Sequence, residues 1–288
     1  MIKVNKDYND IPHGLTTSKA KSMVKALLRE KNDHQFSHSY YSHASVKEKL
    51  RNDIYHAKCA YCECSIEAGA SLQIDHFRPK KFVKGEDHTG YYWLAYQWSN
   101  LLLCCPICNR SKSNLFPILG KQVKYPQKDK AQWQANSKSF LAEEPLLLNP
   151  ETDNPEKHFE FLRNGTITSK TKQGLITIEV CQLNRKGLAG NRRKAIDRFK
   201  KDIGKQVEII YDKQQTGKLN SKEKFLDSLE LGFKTLFENL MNTKKPENEY
   251  SRLGWHLINK FDEFFVESLH SEEQKQIVKF AFSRFKSS

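Results

Sequence analysis

Two short stretches, CAYCEC at residues 59–64 and CCPICNRSK at residues 104–112, hold six of the chain's seven cysteines and flank the pair Asp75-His76. Cys59-x2-Cys62 and Cys105-x2-Cys108 have the spacing of two metal knuckles. Four thiolates at about 2.3 Å saturate a tetrahedral Zn²⁺ and leave no open position for chemistry, so such a site is structural. The halves are separated by 42 residues, and the metal would close a loop that is costly to close otherwise. Cys64 and Cys104 adjoin the chosen ligands and leave some freedom of register. With Cys181 they are read as small buried residues.

The framed segment carries Asp75-His76 at one end, Asn109 directly after Cys108 at the other, and Asn100 between. A carboxylate and an amide oxygen are hard ligands, suited to a Mg²⁺ or Mn²⁺ that keeps several waters and binds a phosphate oxygen. A neutral histidine beside that ion can take a proton from water and aim the oxygen at phosphorus. These groups suffice for phosphodiester hydrolysis. Neighbouring residues of a regular strand face opposite ways. Asp75 and His76 therefore serve one phosphate only if the strand ends or bends there, as Phe77-Arg78-Pro79 allows.

The elements that must position these groups follow from periodicity. TSKAKSMVKALLREK predicts a helix capped by Ser18 or Thr16, with Met23, Ala26 and Leu27 on one face. SVKEKLRNDIYHAK predicts a second, with Val46, Leu50 and Ile54 buried. His34, His38 and His43 lie between them; no cysteine or carboxylate pattern completes a metal site, so a surface loop is expected. SLQIDHFRP reads as a short strand alternating at Leu72 and Ile74, and NLLLCC as a strand or a buried helical turn. PICNRSKSNLF starts like a helix and is expected to stop at Pro117. Tyr91, Tyr92, Trp93, Tyr96 and Trp98 could stack on bases but fit a small aromatic core better. Residues 120–145 read as a linker or a long insertion, and Asn164-Gly165 as a hairpin turn. From residue 186 onward, four apolar stripes predict a helical bundle. Its last helices carry more Phe and Trp than one core is expected to cover, which suggests a docking face.

Composition narrows the partner. The 288 residues carry a net charge of +14, with 38% apolar and 11% aromatic residues. The excess favours a polyanion, most simply nucleic acid. Over residues 185–205 nine cations face two aspartates, and Arg192, Arg193 and Lys194 are its expected nucleic-acid contacts. No apolar run reaches the ~18 residues of a spanning helix, and the first ten residues lack a signal-like apolar core. The chain reads as cytoplasmic, where thiols stay reduced and clustered cysteines mean metal.

The run CAYCE…QIDHFRPK…WSNLLLCCPICNRSKSNLFP resembles the zinc-framed HNH endonucleases, over roughly residues 55–117. That resemblance implies a ββα-metal core, with His76 as general base and Asp75 and Asn109 as ligands of the catalytic ion. Asn100 would orient the base or hold the loop. Lys112 and Arg110 would contact phosphate, with Arg78 in the same nucleic-acid-binding set. The third motif letter is Asn109 rather than His, which points to Mg²⁺ rather than a softer metal. PLLLNPETDNPEKHFEF and CQLNRKGLAGNRRKAI resemble the HNH proteins attached to retrons and the PtuB family of Septu anti-phage systems. This implies an ABC-type ATPase partner of the PtuA kind.

The expected fold class is thus α+β: a small ββα-metal core with a four-cysteine zinc site in a mostly helical chain. The expected segments are an N-terminal helical part (1–58), the nuclease core (59–119), a linker and hairpin region (120–185) and a C-terminal helical domain (186–288). DNA is favoured as substrate, with tRNA or other structured RNA as the alternative. A non-catalytic zinc-ribbon binding module or adaptor would also explain the cysteines and the charge, but not the Asp75, His76 and Asn109 set.

Overall fold

A computed structural model describes residues 1–66, 73–124 and 130–287. The chain divides into two compact units, one of residues 1–159 with 167–184, the other of residues 160–166 with 185–288. In the first, α1 (Ser18–Glu30) is capped by Thr17, whose hydroxyl accepts from Ala20 N at 3.0 Å. The cap thus falls between the two residues expected from sequence. Leu27 is buried and Met23 only half-buried. One turn, α2 (His38–Tyr41), leads to α3 (Ala44–Glu48), which continues as a wider turn over Lys49–Ile54. Val46, Leu50 and Ile54 form the buried stripe that their spacing of four predicts. Of the three histidines expected on a surface loop, His38 and His43 are exposed and His34 is not. His34 is buried, bonded to Glu30 and to the Tyr96 hydroxyl.

The centre of the unit is a two-stranded antiparallel ribbon, β1 (Gln73–His76) against β2 (Leu101–Cys104), with Asp75 opposite Leu102 and His76 opposite Leu101. Leu72, expected in this strand, lies outside the described residues. β2 is buried along its whole length, which resolves NLLLCC as a strand. Tyr91, Tyr92, Trp93, Tyr96 and Trp98 are all buried, so they build the core and present no stacking platform. The helix α4 (Pro106–Lys112) follows, with proline at its first position, where the missing N–H costs nothing. It stops well before Pro117, because Ser113 turns into the left-handed region at φ 46°.

Residues 117–120 lie beside residues 143–146. Gly120 N donates to Glu143 O and Leu146 N to Pro117 O, and Trp133 and Phe140, of the short helix α5 (Lys138–Leu141), are buried. Position 120 admits only glycine, since a Cβ there would meet Ala142 O at 2.1 Å. Glu143, fully buried, accepts from Arg78 Nε at 2.7 Å, Tyr91 OH at 2.8 Å and Val123 N at 3.0 Å. β3 (Glu160–Phe161) and β4 (Ile167–Thr168) flank the Asn164-Gly165 turn, where Gly165 has φ 81° and Leu162 N donates to Thr166 O. α6 (Lys172–Val180) completes the first unit.

The second unit holds α7 (Lys186–Gln215), α8 (Lys222–Asn242), α9 (Ser251–Asn259) and α10 (Glu272–Ser287). Ile196, Phe199, Ile203, Val207 and Ile210 are buried as their spacing predicts. On α8 Phe237 is buried and Leu236 only half-buried, with Phe237 stacking on Phe233 at 5.0 Å. Phe261, Phe264, Phe265 and Phe282 are buried too. A tight turn of wider pitch over Asp262–Val266 turns the adjacent pair Phe264-Phe265 inward together, so the expected surplus shrinks to Trp255 and Phe280, both about half exposed. No helix of the described residues is long and apolar enough to cross a membrane.

Glu143 ties Arg78 and Tyr91 to a segment more than 50 residues away. Glu143→Ala leaves the Arg78 guanidinium buried and unpaired, and we expect a loss of about 3–5 kcal/mol of unfolding free energy. Urea denaturation followed by tryptophan fluorescence checks it; an unchanged midpoint would show the pair to be dispensable.

Candidate active site

The four knuckle sulfurs lie within 4.8 Å of one another, three of the four residues buried. A tetrahedron with bonds of about 2.3 Å has edges of ~3.8 Å, and Cys62 Sγ to Cys105 Sγ is 3.8 Å. The donor set therefore fits one thiophilic tetrahedral ion. Cys105 caps α4, its sulfur accepting from Cys108 N at 3.5 Å. Among the described residues no other His, Cys, Asp or Glu group has metal-site spacing, so His34, His38 and His43 do not form one. Among the described residues no cysteine forms a disulfide. Cys104 is buried and its thiol is pushed up to about 12 by that burial, which keeps it a neutral core residue.

His76 ends β1. Its Nε2 lies 2.9 Å from Ala95 O. A carbonyl only accepts, so Nε2 carries the proton and Nδ1 holds the lone pair. Burial, and next the charge of Lys80, hold the ring well below the usual histidine range. The imidazole is therefore neutral at physiological pH, as a base must be. Asp75 is buried beside it, accepting from Tyr61 OH at 2.6 Å and from Lys112 Nζ at 3.2 Å. Burial, and then the Asp75 charge, push the Tyr61 phenol far up, which keeps it a donor.

Asp75, His76, Asn109 and Arg110 line one open cleft of ≈ 490 Å³ with Gln73, Lys80, His38 and Tyr41. A cleft of this size has room for a hydrated divalent ion and a phosphate. Asp75 and Asn109 are oxygen donors, and two protein ligands leave the several waters that Mg²⁺ retains. The Asn109 Nδ2 donates to Gln73 Oε1 at 2.7 Å, which turns its own amide oxygen away from that partner.

Asn100 holds the loop. Its Oδ1 accepts from Arg78 N at 2.8 Å, and its Nδ2 donates to Arg78 O at 3.0 Å and Leu94 O at 3.3 Å. Leu94 immediately precedes Ala95, whose carbonyl accepts from His76 Nε2.

Three of the residues expected to contact nucleic acid are buried. Lys112 is wholly buried, donating to Asp75 Oδ1 and at 2.9 Å to His76 O. It lies four residues after buried Cys108, on the inner face of α4. Arg78 is buried against Glu143, with its guanidinium 4.2 Å from the Phe140 ring centre. Arg192, in the second unit, is 1% exposed and donates to Gly165 O. Its position four residues before Ile196 places it in the apolar stripe of α7, a signal that its charge obscured. Arg110, Arg193 and Lys194 are exposed. Sequence reading missed Tyr61, Lys80 and Tyr41. Lys80 stands four residues after His76 in QIDHFRPK, the one signal for it; Tyr41 comes from a distant turn and carried none.

Residues 59–115 match the family model described as HNH endonuclease. The chain is 36% identical to "Septu protein PtuB" of Bacillus mycoides (strain KBAB4) over 225 residues, covering 73% of this chain and 71% of that one. It is also 32% identical over 170 residues to "Septu protein PtuA" of the same strain, covering 57% of this chain but 23% of that much longer one. No solved structure matches.

If Asn100 acts by holding the loop, Asn100→Ala leaves Arg78 N buried without an acceptor and should cost about 1–3 kcal/mol of stability. Chemical denaturation of the variant measures this; a residue serving chemistry alone would leave the unfolding midpoint where it was.

Proposed function

The chain belongs to the PtuB family of Septu proteins and carries an HNH endonuclease domain, and from that premise we propose that it is a metal-dependent nuclease that hydrolyses phosphodiester bonds in an anti-phage defence assembly. The observation that carries the reading is the His76 ring, neutral, with Nε2 held by Ala95 O and its only lone pair at Nδ1 in a cleft shared with Asp75 and Asn109. A zinc-ribbon module without catalysis has no use for that arrangement.

His76 takes the proton of the attacking water at Nδ1. Ala95 O stabilises the imidazolium that results, since the Nε2–H bond strengthens as the ring becomes charged. Asp75 and Asn109 hold the catalytic ion, Mg²⁺ or Mn²⁺, which when bound supplies positive charge to the phosphate. Lys112 fixes both the Asp75 carboxylate and the carbonyl of His76, so carboxylate and base keep one geometry. Arg110, exposed at the rim, binds a flanking phosphate. Cys59, Cys62, Cys105 and Cys108 hold Zn²⁺, which is structural.

Residues 59–119 form the catalytic core in this reading, and the +14 charge favours nucleic acid, DNA ahead of structured RNA. Arg193 and Lys194, on the exposed face of α7, add backbone contacts. The partner is an ABC-type ATPase of the PtuA kind, in a Septu or retron-type complex in the cytoplasm. The likeness to part of a PtuA chain supports this, because it puts a segment like this one in the same polypeptide as the rest of that larger protein.

His76→Ala should reduce Mg²⁺-dependent cleavage of duplex DNA, single-stranded DNA or tRNA at least about 10²-fold while the circular dichroism stays native; undiminished cleavage would remove His76 from the role of base. The shift of that ring is downward, so it stays unprotonated as pH falls through the ordinary value of 6.5. The acid limb of the rate profile should therefore lie below pH 6.5; a limb above it contradicts a buried neutral base. Elemental analysis should find about one Zn²⁺ per chain, in line with a single four-thiolate site. Cys108→Ser should lose that zinc and become protease-sensitive, and a stable, active Cys108→Ser protein counts against a structural metal.

A further inference from the structure

Lys80 follows Pro79 at the end of the Asp75-His76 turn. Its ammonium donates to His76 Nδ1 at 3.3 Å and lies 4.9 Å from the centre of the Tyr41 ring, with Phe36 at 6.0 Å. Tyr41 in turn meets the His76 ring edge to face at 4.7 Å. Aromatic faces hold this cation; the Asp75 charge favours it, but among the described residues no carboxylate lies within ion-pair distance of it. Because Ala95 O fixes the proton on Nε2, the nitrogen that Lys80 covers is the only one able to accept a proton from water. With Lys80 seated, that lone pair is taken.

The hold is weak by construction. A separation of 3.3 Å is long beside the ~2.9 Å of an ordinary N–H donor bond, and the acceptor is neutral. A phosphate oxygen brings full opposite charge and a shorter, charge-assisted bond. Burial lowers the lysine to about 8, so it still enters the contact as an ammonium at neutral pH. The cleft in which it sits is also where Asp75, Asn109 and Arg110 meet, so an incoming backbone reaches it directly.

The geometry points to Lys80 as a substrate-released stopper of the base: its ammonium occupies His76 Nδ1 in the free protein and transfers to a backbone phosphate when nucleic acid binds. The ammonium keeps its protons throughout and changes acceptor from ring nitrogen to phosphate oxygen, so Nδ1 is opened to water only where there is a backbone to cut. This rests on the reading of His76 as the base. Lys80 is then a positioning residue in the free state and a phosphate contact in the bound state.

The test uses full-length protein labelled with ¹⁵N-histidine, with His76 assigned by the signal that His76→Ala removes. The probes are a short DNA duplex and an RNA hairpin, without added divalent ion. Saturation with either should shift the His76 Nδ1 resonance of the wild type. Lys80→Met should show that shifted resonance before any nucleic acid is added. The same variant should bind the probe several-fold more weakly, with a log–log salt slope shallower by about 0.9, and Lys80→Arg should restore the slope. A Nδ1 resonance that responds neither to Lys80→Met nor to the probes overturns the proposal, and so does an unchanged salt slope. Should His76→Ala cleave normally, it is the base assignment that fails; an inactive His76→Ala with an unresponsive Nδ1 removes the stopper alone.

Discussion

Four sulfurs from two places in the chain come within 4.8 Å of one another, and the rest of the site depends on that constraint. The 42 residues between the knuckles form a loop whose closure costs on the order of 3 kcal/mol beyond a constant. That cost is offset where the ends are locked. The lock sits beside the ribbon. Ala60 N donates to Leu103 O, so the first knuckle is bonded into β2, and β2 runs directly into Cys105. Gln73 pairs with Cys104 at that end, and Asp75 and His76 follow at the other. A slip of one residue in this short ribbon would exchange the faces of Asp75 and His76.

Polar groups then do inside the unit what apolar packing cannot. Lys112 is buried between Asp75 and the His76 carbonyl, Arg78 between Glu143 and Phe140, and Lys6 among Trp98 O, Leu101 O and Glu151. Buried ion pairs contribute little net stability, but they are directional: Lys112 and Lys6 end on backbone of the active-site segment, and Arg78 ties that segment to Glu143 and Phe140 O. The aromatic cluster from Tyr91 to Trp98 supplies the surrounding volume. The excursion over residues 120–145 supplies Glu143. An HNH-sized segment is thus held by elements well beyond its own limits.

The metal knuckles, the ribbon and α4 were legible in the sequence, because each rests on local spacing: Cys-x2-Cys, a short apolar alternation, a proline at a helix start. So was the place of Asp75 and His76 in one cleft with Asn109. The dipeptide alone did not carry this, since Asp33-His34 and Asp87-His88 repeat it. Their histidines go elsewhere, His34 to Glu30 and Tyr96, and His88 to Gly90 N. What singled out residues 75 and 76 was their place between the knuckles.

Charge was read less well than spacing. A basic residue in a basic protein suggests a solvent-facing contact, and Arg110, Arg193 and Lys194 are exposed in that way. Arg78, Lys112 and Arg192 are buried, because whether a cation can leave water depends on the acceptors that meet it. For Arg78 the carboxylate comes from 65 residues downstream, and for Lys112 from 37 upstream. The same holds for the tautomer of His76, set by a carbonyl 19 residues away, and for the Tyr41 face under Lys80. By itself the sequence determined which residue types stand where along the chain, and so the chemistry available. Only the tertiary structure decided which charges are used up inside and which nitrogen of His76 keeps its lone pair, since desolvation and pairing belong to the folded neighbourhood and not to the residue.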